Sequence, residues 1–147
     1  MKTENAKVRP ATDGDRRRIE RIIRTALGYS SMDGEKFINR YKKILADRAF
    51  VTLVCECRGE VVGFLGARKE ISYEQDDEYI RILALAVDEK MQNAGAGGLL
   101  IGEIEAVAKE NGIHMIALSS NFKRTAAHKF YESKGFEKTS YAFKKKI

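Results

Sequence analysis

A glycine-rich segment near the middle of the chain could hold a phosphate group. It lies between a strand-like apolar run and a segment with helical periodicity, and consists of Gln92, Asn93, Ala94, Gly95, Ala96, Gly97 and Gly98. Glycines allow a ligand to approach the backbone, and the first turn of a helix offers unpaired N–H groups at the positive end of its dipole. The segment therefore predicts a phosphate-binding loop at a helix start, which we call the glycine loop (residues 92–98).

The spacing of the glycines distinguishes between phosphate-binding motifs. A P-loop requires Lys and then Ser or Thr after its last glycine, and a dinucleotide-binding fingerprint requires a small residue where this chain has Leu100. The pattern Gln92-x-x-Gly95-x-Gly97 instead resembles the Arg/Gln-x-x-Gly-x-Gly/Ala signature of the GNAT superfamily of N-acetyltransferases, whose loop holds the pyrophosphate of acetyl-coenzyme A. A glycine-rich loop that only packs a helix on a sheet is the structural alternative.

The segment from Leu118 to Phe136 resembles a second motif of the same superfamily. An apolar strand is followed by Asn121, and then by a helix that bears the pattern Ala-x-x-Phe-Tyr, ending at Tyr131, with Gly-Phe four residues later. The order of the two motifs and the distance between them also agree with the superfamily. Because independent features agree over nearly the whole chain, the sequence indicates an N-acetyltransferase domain.

The resemblance implies a role for each matching position in holding acetyl-coenzyme A. Backbone groups that would pair with the pantetheine arm as an added strand belong to Leu85, Ala86 and Val87. The glycine loop would hold the pyrophosphate. The residues that would line the coenzyme beside the last helix are Asn121, Ala127 and Phe130. Tyr131 would act as general acid for the departing thiolate, and a tyrosine that only packs in the core is the alternative.

The reaction also needs a group that removes a proton from the acceptor amine before it attacks the thioester. Many superfamily members carry a Glu on the central strand shortly before its Leu-Ala-Val end. This chain has Arg81, Ile82, Leu83 and Ala84 there. Glu78 is the nearest upstream carboxylate and is the candidate base, with a water relay as the alternative.

The hydrophobic pattern predicts an α/β (α+β) fold in which these motifs are positioned by strands and helices. The expected sheet is mixed, with antiparallel N-terminal strands, a parallel βαβ core and about four flanking helices. Predicted strands are 7–9, 49–58, 60–71, 79–87, 114–119 and 137–143. Predicted helices begin at Thr12, Asp33 and the glycine loop, and a last helix spans 121–134. Gly63 and Gly66 indicate a bulge or a close approach within the third strand.

The composition is that of one soluble domain spanning residues 1–147. Of these 147 residues 44% are hydrophobic and 33% are charged, and no apolar run has the length of a membrane span. The N-terminus lacks a signal-peptide core, so we expect a cytoplasmic protein. Cys55 and Cys57 lie at i and i+2 of one strand, too far apart for easy pairing and without partners for a metal site. No metal is expected.

The net charge of +6 raises the question of an anionic partner. Charges of both signs are mixed along the chain, so nucleic acid is not an expected partner. A membrane is not expected either, because no apolar run is long enough to span one. The first helix carries five arginines, which are expected mostly on a solvated face, with a phosphate-binding surface as the alternative: Arg16, Arg17, Arg18, Arg21 and Arg24. An acidic stretch, residues 74–78, precedes the central strand and would favour cationic amines if it borders the acceptor pocket.

These features favour an enzyme that moves the acetyl group of acetyl-coenzyme A to a primary amine of a small molecule by direct attack in a ternary complex. The segment around Asn121 most resembles acetyltransferases for small amines, including aminoalkylphosphonates and aminoglycosides. Two alternatives stay open: a non-catalytic regulatory module that binds coenzyme A, and an acetyltransferase for a protein or peptide amine. The sequence leaves a homodimer as an option.

Overall fold

The computed structural model describes residues 5–147, which contain five β-strands and four α-helices. The strands are β1 (Ala6–Pro10), β2 (Phe50–Cys57), β3 (Glu60–Glu70), β4 (Tyr79–Val87) and β5 (Ile116–Leu118). The helices are α1 (Arg16–Ala26), α2 (Gly34–Ala46), α3 (Ala96–Glu110) and α4 (Thr125–Ser133). Short 3₁₀ turns at Asp13–Asp15 and Glu89–Met91 precede α1 and α3.

The strands form one mixed sheet in the order β1-β2-β3-β4-β5, which confirms the predicted fold class. Pairing is antiparallel from β1 through β4. The predicted hairpin between β2 and β3 is present, and its two-residue turn consists of Arg58 and Gly59, with φ values of 52° and 77°. Two positive φ angles match the twist of the flanking strands, which is why such turns favour residues that tolerate the left-handed region.

Helices cover both faces of the sheet. On one face Ile19 and Ile22 of α1 and Phe37 and Tyr41 of α2 pack in one cluster with sheet residues that include Phe64. Gly63 precedes Phe64 in β3 and therefore faces the opposite side. A methyl group added to Gly63 would lie 3.4 Å from Leu100 Cδ1, so α3 covers that opposite face.

The pairing of β3 with β4 contains a β-bulge. Gly66 lies opposite Ala84, but the next residue of β3, Ala67, lies opposite Ile82, so that no residue of β3 lies opposite Leu83. Since successive residues of β3 point to opposite faces, Ile82 and Ala84 also point to opposite faces of the sheet. Both predicted glycine effects are therefore present, the bulge beside Gly66 and the close approach at Gly63.

The predicted last strand, 137–143, is wrong. No strand is assigned to these residues, and within this segment the side chains of Tyr141 and Phe143 are 90% and 92% exposed. Alternating aromatic and polar residues make a segment suitable for a strand, but a strand also needs a neighbouring edge for its backbone groups. The predicted strand at 114–119 shortens to the three residues of β5, and the last helix begins at Thr125 rather than at Asn121.

Contacts within the chain divide it into two compact units. The larger unit ends at Ala117 and contains β1 to β4 and α1 to α3, whereas the smaller unit, Leu118–Ile147, contains α4. Among the helices of residues 5–147, none combines the length and the hydrophobicity that crossing a bilayer requires. The same part of the chain contains no cluster of three or more His, Cys, Asp or Glu side chains suited to a metal ion. Cys55 and Cys57 are buried and form no disulfide.

A charged network ties the start of α1 to β1 and β2. Asp15 is 7% exposed, and Arg9 donates hydrogen bonds of 2.8 and 3.0 Å to its two carboxylate oxygens and one of 2.7 Å to Glu56. The N–H of Thr12 also donates to Asp15, at 2.8 Å, and the Tyr41 hydroxyl donates to the Thr12 carbonyl, at 2.7 Å. The hydrogen bonds from Arg9 lower the pKa of Asp15 below its usual value, against the opposing effect of burial.

The lowered pKa of Asp15 predicts an acid-dependent loss of stability. A carboxylate whose pKa is depressed by folding stabilises the native state above its unfolded pKa of about 4, and this contribution is lost as the pH falls through the folded pKa. We expect Asp15→Asn to lower the free energy of unfolding by about 1–3 kcal/mol at neutral pH, because Arg9 loses its acceptor. Urea denaturation should show that the difference from the parent protein shrinks below about pH 4. Glu103→Gln, an exposed position on α3, is the control. An equal difference at both pH values would contradict the role of the Asp15 charge.

Candidate active site

The glycine loop leaves the sheet at the end of β4 through a short 3₁₀ turn. Asp88, the first residue after β4, accepts a hydrogen bond from the N–H of Lys90 through its side chain, at 3.1 Å, and from the N–H of Met91 through its carbonyl, at 2.8 Å. Met91 is 7% exposed. The turn and the buried Met91 side chain therefore anchor the chain where the glycine loop begins.

Backbone conformation in the glycine loop leaves N–H groups available at the start of α3. Asn93 and Gly95 have φ values of 65° and 97°, and Gly95 is the N-cap of α3. As a glycine, this N-cap makes no side-chain hydrogen bond to the first turn. The first N–H groups of a helix have no acceptor within it, so those of Ala96, Gly97 and Gly98 can reach an anion. The predicted helix start is present, and its chemistry suits a phosphate.

Strand β4 presents two features that can accommodate an extended ligand. Residues 85–87 pair with β3 along one edge, whereas β5 has three residues and can pair with only part of the nine-residue β4 along the other. The bulge lies in the middle of β4, where the Leu83 side chain is 52% exposed. Bulges re-aim backbone and side-chain groups and occur often beside active sites. The apolar run of β4 did not indicate that Leu83 would be exposed at a bulge. The one sequence signal near this position was Gly66 on the neighbouring strand.

Arg18 links α1 to residues 88–91, which connect β4 to the glycine loop and which we call its stem. Its Nε donates to the Val61 carbonyl at 2.8 Å, and its Nη2 forms ion pairs with Asp88 at 2.9 Å and with Glu60 at 2.8 Å. The prediction of a solvated arginine face is thus wrong for Arg18, which is half-buried and makes three contacts to the sheet side. Periodicity placed Arg18 off the apolar face, but it could not show which strand ends lie within reach of a guanidinium.

Glu78, the candidate base, lies in an acidic cavity at the start of β4. The cavity has a volume of about 370 Å³ and is lined by residues 74–78 together with His114 and Met115. Glu78 is exposed. Leu83 lies five positions after Glu78, a span of about 16 Å in an extended strand. Glu78 and the bulge are therefore beyond direct hydrogen-bond reach of each other along β4.

Tyr131 lies in α4 of the smaller unit, where its ring contacts two other aromatic rings. The ring centroids of Phe130 and Phe136 are 5.6 and 5.8 Å from that of Tyr131. Gly135, with φ of 92°, ends the helix, and the N–H of Phe136 returns to the Tyr131 carbonyl at 3.1 Å. Burial raises the pKa of Tyr131, so the phenol keeps its proton at neutral pH. The positive charge of Arg124 acts in the opposite direction on this pKa.

Asn121 shapes the turn that enters α4. Its Oδ1 accepts from the N–H of Lys123 at 2.9 Å, and its carbonyl accepts from the N–H of Arg124 at 3.0 Å and lies 2.9 Å from His128 Nε2. This arrangement accounts locally for an asparagine before the helix and for the position of the His128 ring. Ala127 and Phe130 are both half-buried in α4. The smaller unit therefore brings Asn121, Ala127, Phe130 and Tyr131 onto one turn and helix, and the larger unit holds residues 85–87 and the glycine loop together.

Comparisons with known proteins agree with these features. The family model for the acetyltransferase (GNAT) domain matches residues 48–138. The chain is 29% identical over 89 residues to an aminoalkylphosphonate N-acetyltransferase from Salmonella typhimurium, a match that covers 60% of this chain and 58% of that relative. The chain thus spans less than two thirds of the length of this relative.

Solved structures show the same fold. A protein from Bacillus halodurans C-125 described as a transcriptional regulator has a TM-score of 0.88 at 23% identity, over 97% of this chain and all 100% of that one. The structure of AAC(6')-Iy in complex with the bisubstrate analogue CoA-S-monomethyl-acetylneamine has a TM-score of 0.85 at 14% identity, over 98% and 99% of the two chains. Since the family model matches well over half of the sequence, this chain belongs to the GNAT acetyltransferase family.

Proposed function

We propose that this enzyme moves the acetyl group of acetyl-coenzyme A to a primary amine of a small molecule, by direct attack while both are bound. One observation carries the proposal: β4 has a bulge at Leu83 in its middle, and α3 begins nine residues after the strand ends, at a glycine N-cap. An extended ligand that ends in phosphates fits such a strand and loop. The reaction needs no covalent enzyme intermediate, because orientation of the two substrates supplies much of the rate enhancement.

The proposed coenzyme contacts use backbone groups of the larger unit. Residues 85–87 would pair with the amide groups of the pantetheine arm along the edge of β4 that β5 covers only in part. The N–H groups of residues 96–98 would bind the pyrophosphate, since the N-cap Gly95 has no side chain that could accept from them. Gln92, whose Nε2 lies 3.3 Å from the Val87 carbonyl, links the glycine loop to the end of the strand. In the smaller unit Asn121, Ala127 and Phe130 would line the coenzyme.

Two proton transfers and one developing charge then need protein groups. Backbone N–H of β4 at the Leu83 bulge would stabilise the negative charge that develops on the carbonyl oxygen. The Tyr131 phenol, which keeps its proton at neutral pH, would protonate the departing thiolate. Glu78 would accept the amine proton through water, because about 16 Å of β4 separates it from the bulge.

The acceptor that fits the acidic cavity best is a cationic amine. Five neighbouring residues, 74–78, include four carboxylates, and they line the cavity beside the start of β4. Carboxylates concentrate cationic ligands and favour the charged form of an incoming amine. The resemblance to an aminoalkylphosphonate N-acetyltransferase, and to AAC(6')-Iy in complex with the bisubstrate analogue CoA-S-monomethyl-acetylneamine, supports a small-molecule acceptor. The structure described as a transcriptional regulator keeps a regulatory coenzyme-binding role as the second candidate.

The glycine loop is tested by the substitution Gly97→Val. Saturation with acetyl-coenzyme A at a hundredfold excess over the dissociation constant should stabilise the parent protein by about 2.7 kcal/mol, seen as a rise in Tm. A valine side chain would block the approach of pyrophosphate to the backbone, so the variant should lose this rise. Gly102→Val is the control, because Gly102 lies on the same helix with no atom within 4 Å of an added methyl. If Gly97→Val keeps the full shift, the glycine loop is not the pyrophosphate site.

The role of Tyr131 is tested by removal of its hydroxyl. Tyr131→Phe keeps the ring contacts with Phe130 and Phe136, so it should fold normally and still bind acetyl-coenzyme A. We expect kcat to fall by about 10²-fold, the lower end of the usual effect of general acid–base catalysis, because the thiolate is a good leaving group. Tyr141→Phe, at a 90% exposed position, should leave kcat unchanged. An unaltered kcat in Tyr131→Phe would make Tyr131 a packing residue.

The acceptor class is tested by a screen of amines in which released coenzyme A is detected as a thiol. Cationic amines should react faster than anionic amines at low ionic strength, and this difference in rate should become smaller as salt screens the carboxylates. Equal rates for cationic and anionic amines would exclude the acidic cavity as the acceptor site. No turnover with any small amine would favour the regulatory alternative.

The role of Glu78 as the base is tested separately. Glu78→Gln should slow the reaction most at low pH, where little free amine is available.

A further inference from the structure

A second cavity of the larger unit carries an excess of positive charge. It has a volume of about 280 Å³ and lies between α1, the β2–β3 turn and the residues that follow β4. Its charged lining consists of Arg18, Arg21, Arg58, Lys90, Glu60 and Asp88. No residue of the glycine loop lines it. The cavity is therefore separate from the proposed pyrophosphate site.

Ion pairing within the cavity leaves three cations without a carboxylate. Both acidic residues, Glu60 and Asp88, pair with Arg18, at 2.8 and 2.9 Å. Within residues 5–147, no carboxylate pairs with the side chains of Arg21, Arg58 or Lys90. Like charges that share a cavity repel one another, so an anion that enters gains attraction from all three.

The backbone at Arg58 gives an independent sign that this side chain has a function. Arg58 has φ of 52°, in the left-handed region that costs free energy for residues other than glycine, asparagine and aspartate. The first position of such a two-residue turn usually carries Asn, Asp or Gly, whereas here only the second position is glycine. Strained backbone is retained mostly where it serves a site. Here the residue in the strained conformation is one whose side chain is charged and that lines the cavity.

We propose that this cavity is a second anion site, for a phosphate-class dianion such as inorganic phosphate or the phosphate group of a small molecule. The guanidinium groups of Arg21 and Arg58 would donate paired hydrogen bonds to phosphate oxygens, and Lys90 would add a third positive charge. Cys57, Val62 and Met91 form the apolar part of the lining, and the volume of about 280 Å³ suits a compact anion. Lys90 lies two residues before Gln92, so the site adjoins the stem of the glycine loop.

The test compares phosphate with chloride at constant ionic strength, with Tm as the readout. The parent protein should show a saturable rise in Tm with inorganic phosphate and none with chloride. Arg58→Asn should raise Tm in chloride, because asparagine tolerates the left-handed region, and should weaken phosphate binding by about tenfold or more. Arg21→Gln should weaken phosphate binding by a similar factor. Lys42→Gln, an exposed position on α2, removes the same charge elsewhere and should keep the phosphate response.

Two further arms separate this site from the glycine loop and identify the source of the phosphate. The phosphate response should persist in Gly97→Val, where the glycine loop is blocked, and its survival does not depend on acetyltransferase activity. Loss of the response on saturation with coenzyme A, but not with its 3′-dephospho form, would identify the coenzyme's own 3′-phosphate as the occupant. Persistence with both would identify a free phosphate or another phosphorylated molecule. The proposal is overturned if phosphate has no saturable effect beyond that of chloride, or if Arg58→Asn binds phosphate as the parent does.

Discussion

The bulge between β3 and β4 is the constraint on which the candidate active site depends. Ile82 and Ala84 are separated by one residue, yet they face opposite sides of the sheet because Leu83 has no opposite residue in β3. Before the bulge the buried side chains of β4 face α3, and beyond it Ala84 and Ala86 face α1 and α2. Because of this reversal, the most buried residues of β4, which are Ile80, Ile82 and Ala86, all have the same parity although they serve both faces of the sheet. It also places the irregular backbone midway along the strand, between the acidic cavity and the glycine loop.

Two arginines set the position of α1 relative to that strand. Arg9 holds the buried Asp15 at the start of the helix, and Arg18 joins the helix to Val61 and Asp88. Because Asp88 is the first residue after β4, the stem of the glycine loop is held by a helix far from it in sequence. The loop itself contains residues that tolerate many conformations, such as Asn93 and Gly95. The stem is thus held by Arg18, whereas the loop can adopt several backbone conformations. Such an arrangement suits a site that must admit a ligand and then hold it.

Local patterns predicted most elements, and long-range pairing accounts for what they missed. Apolar periodicity and capping residues located α1, α2 and α3, and the Arg58-Gly59 turn located the hairpin, because these signals act within a few residues. The bulge at Leu83 depends on which residue of β3 lies opposite. Residues 137–143 form no strand, because a strand needs pairing with another strand as well as a suitable local pattern. The same limit applies to the site. The position of the glycine loop at a helix start could be predicted because it depends on neighbouring residues. The contacts of Arg18 and the acidic cavity form only when segments distant in sequence meet.

Gly63 determines how closely α3 approaches the sheet. A methyl group there would lie 3.1 Å from the Ala86 carbonyl oxygen and 3.3 Å from Val87 Cγ2, in addition to its 3.4 Å contact with Leu100. A side chain larger than a methyl would press on the end of β4 and on Leu100 of α3. The last three residues of the glycine loop form the first turn of that helix. At Gly66, three residues along the same strand, the nearest atom to an added methyl is 4.0 Å away. Position 63 should therefore tolerate fewer substitutions than position 66. The set of residues found at position 63 is limited by the space between β3, β4 and α3.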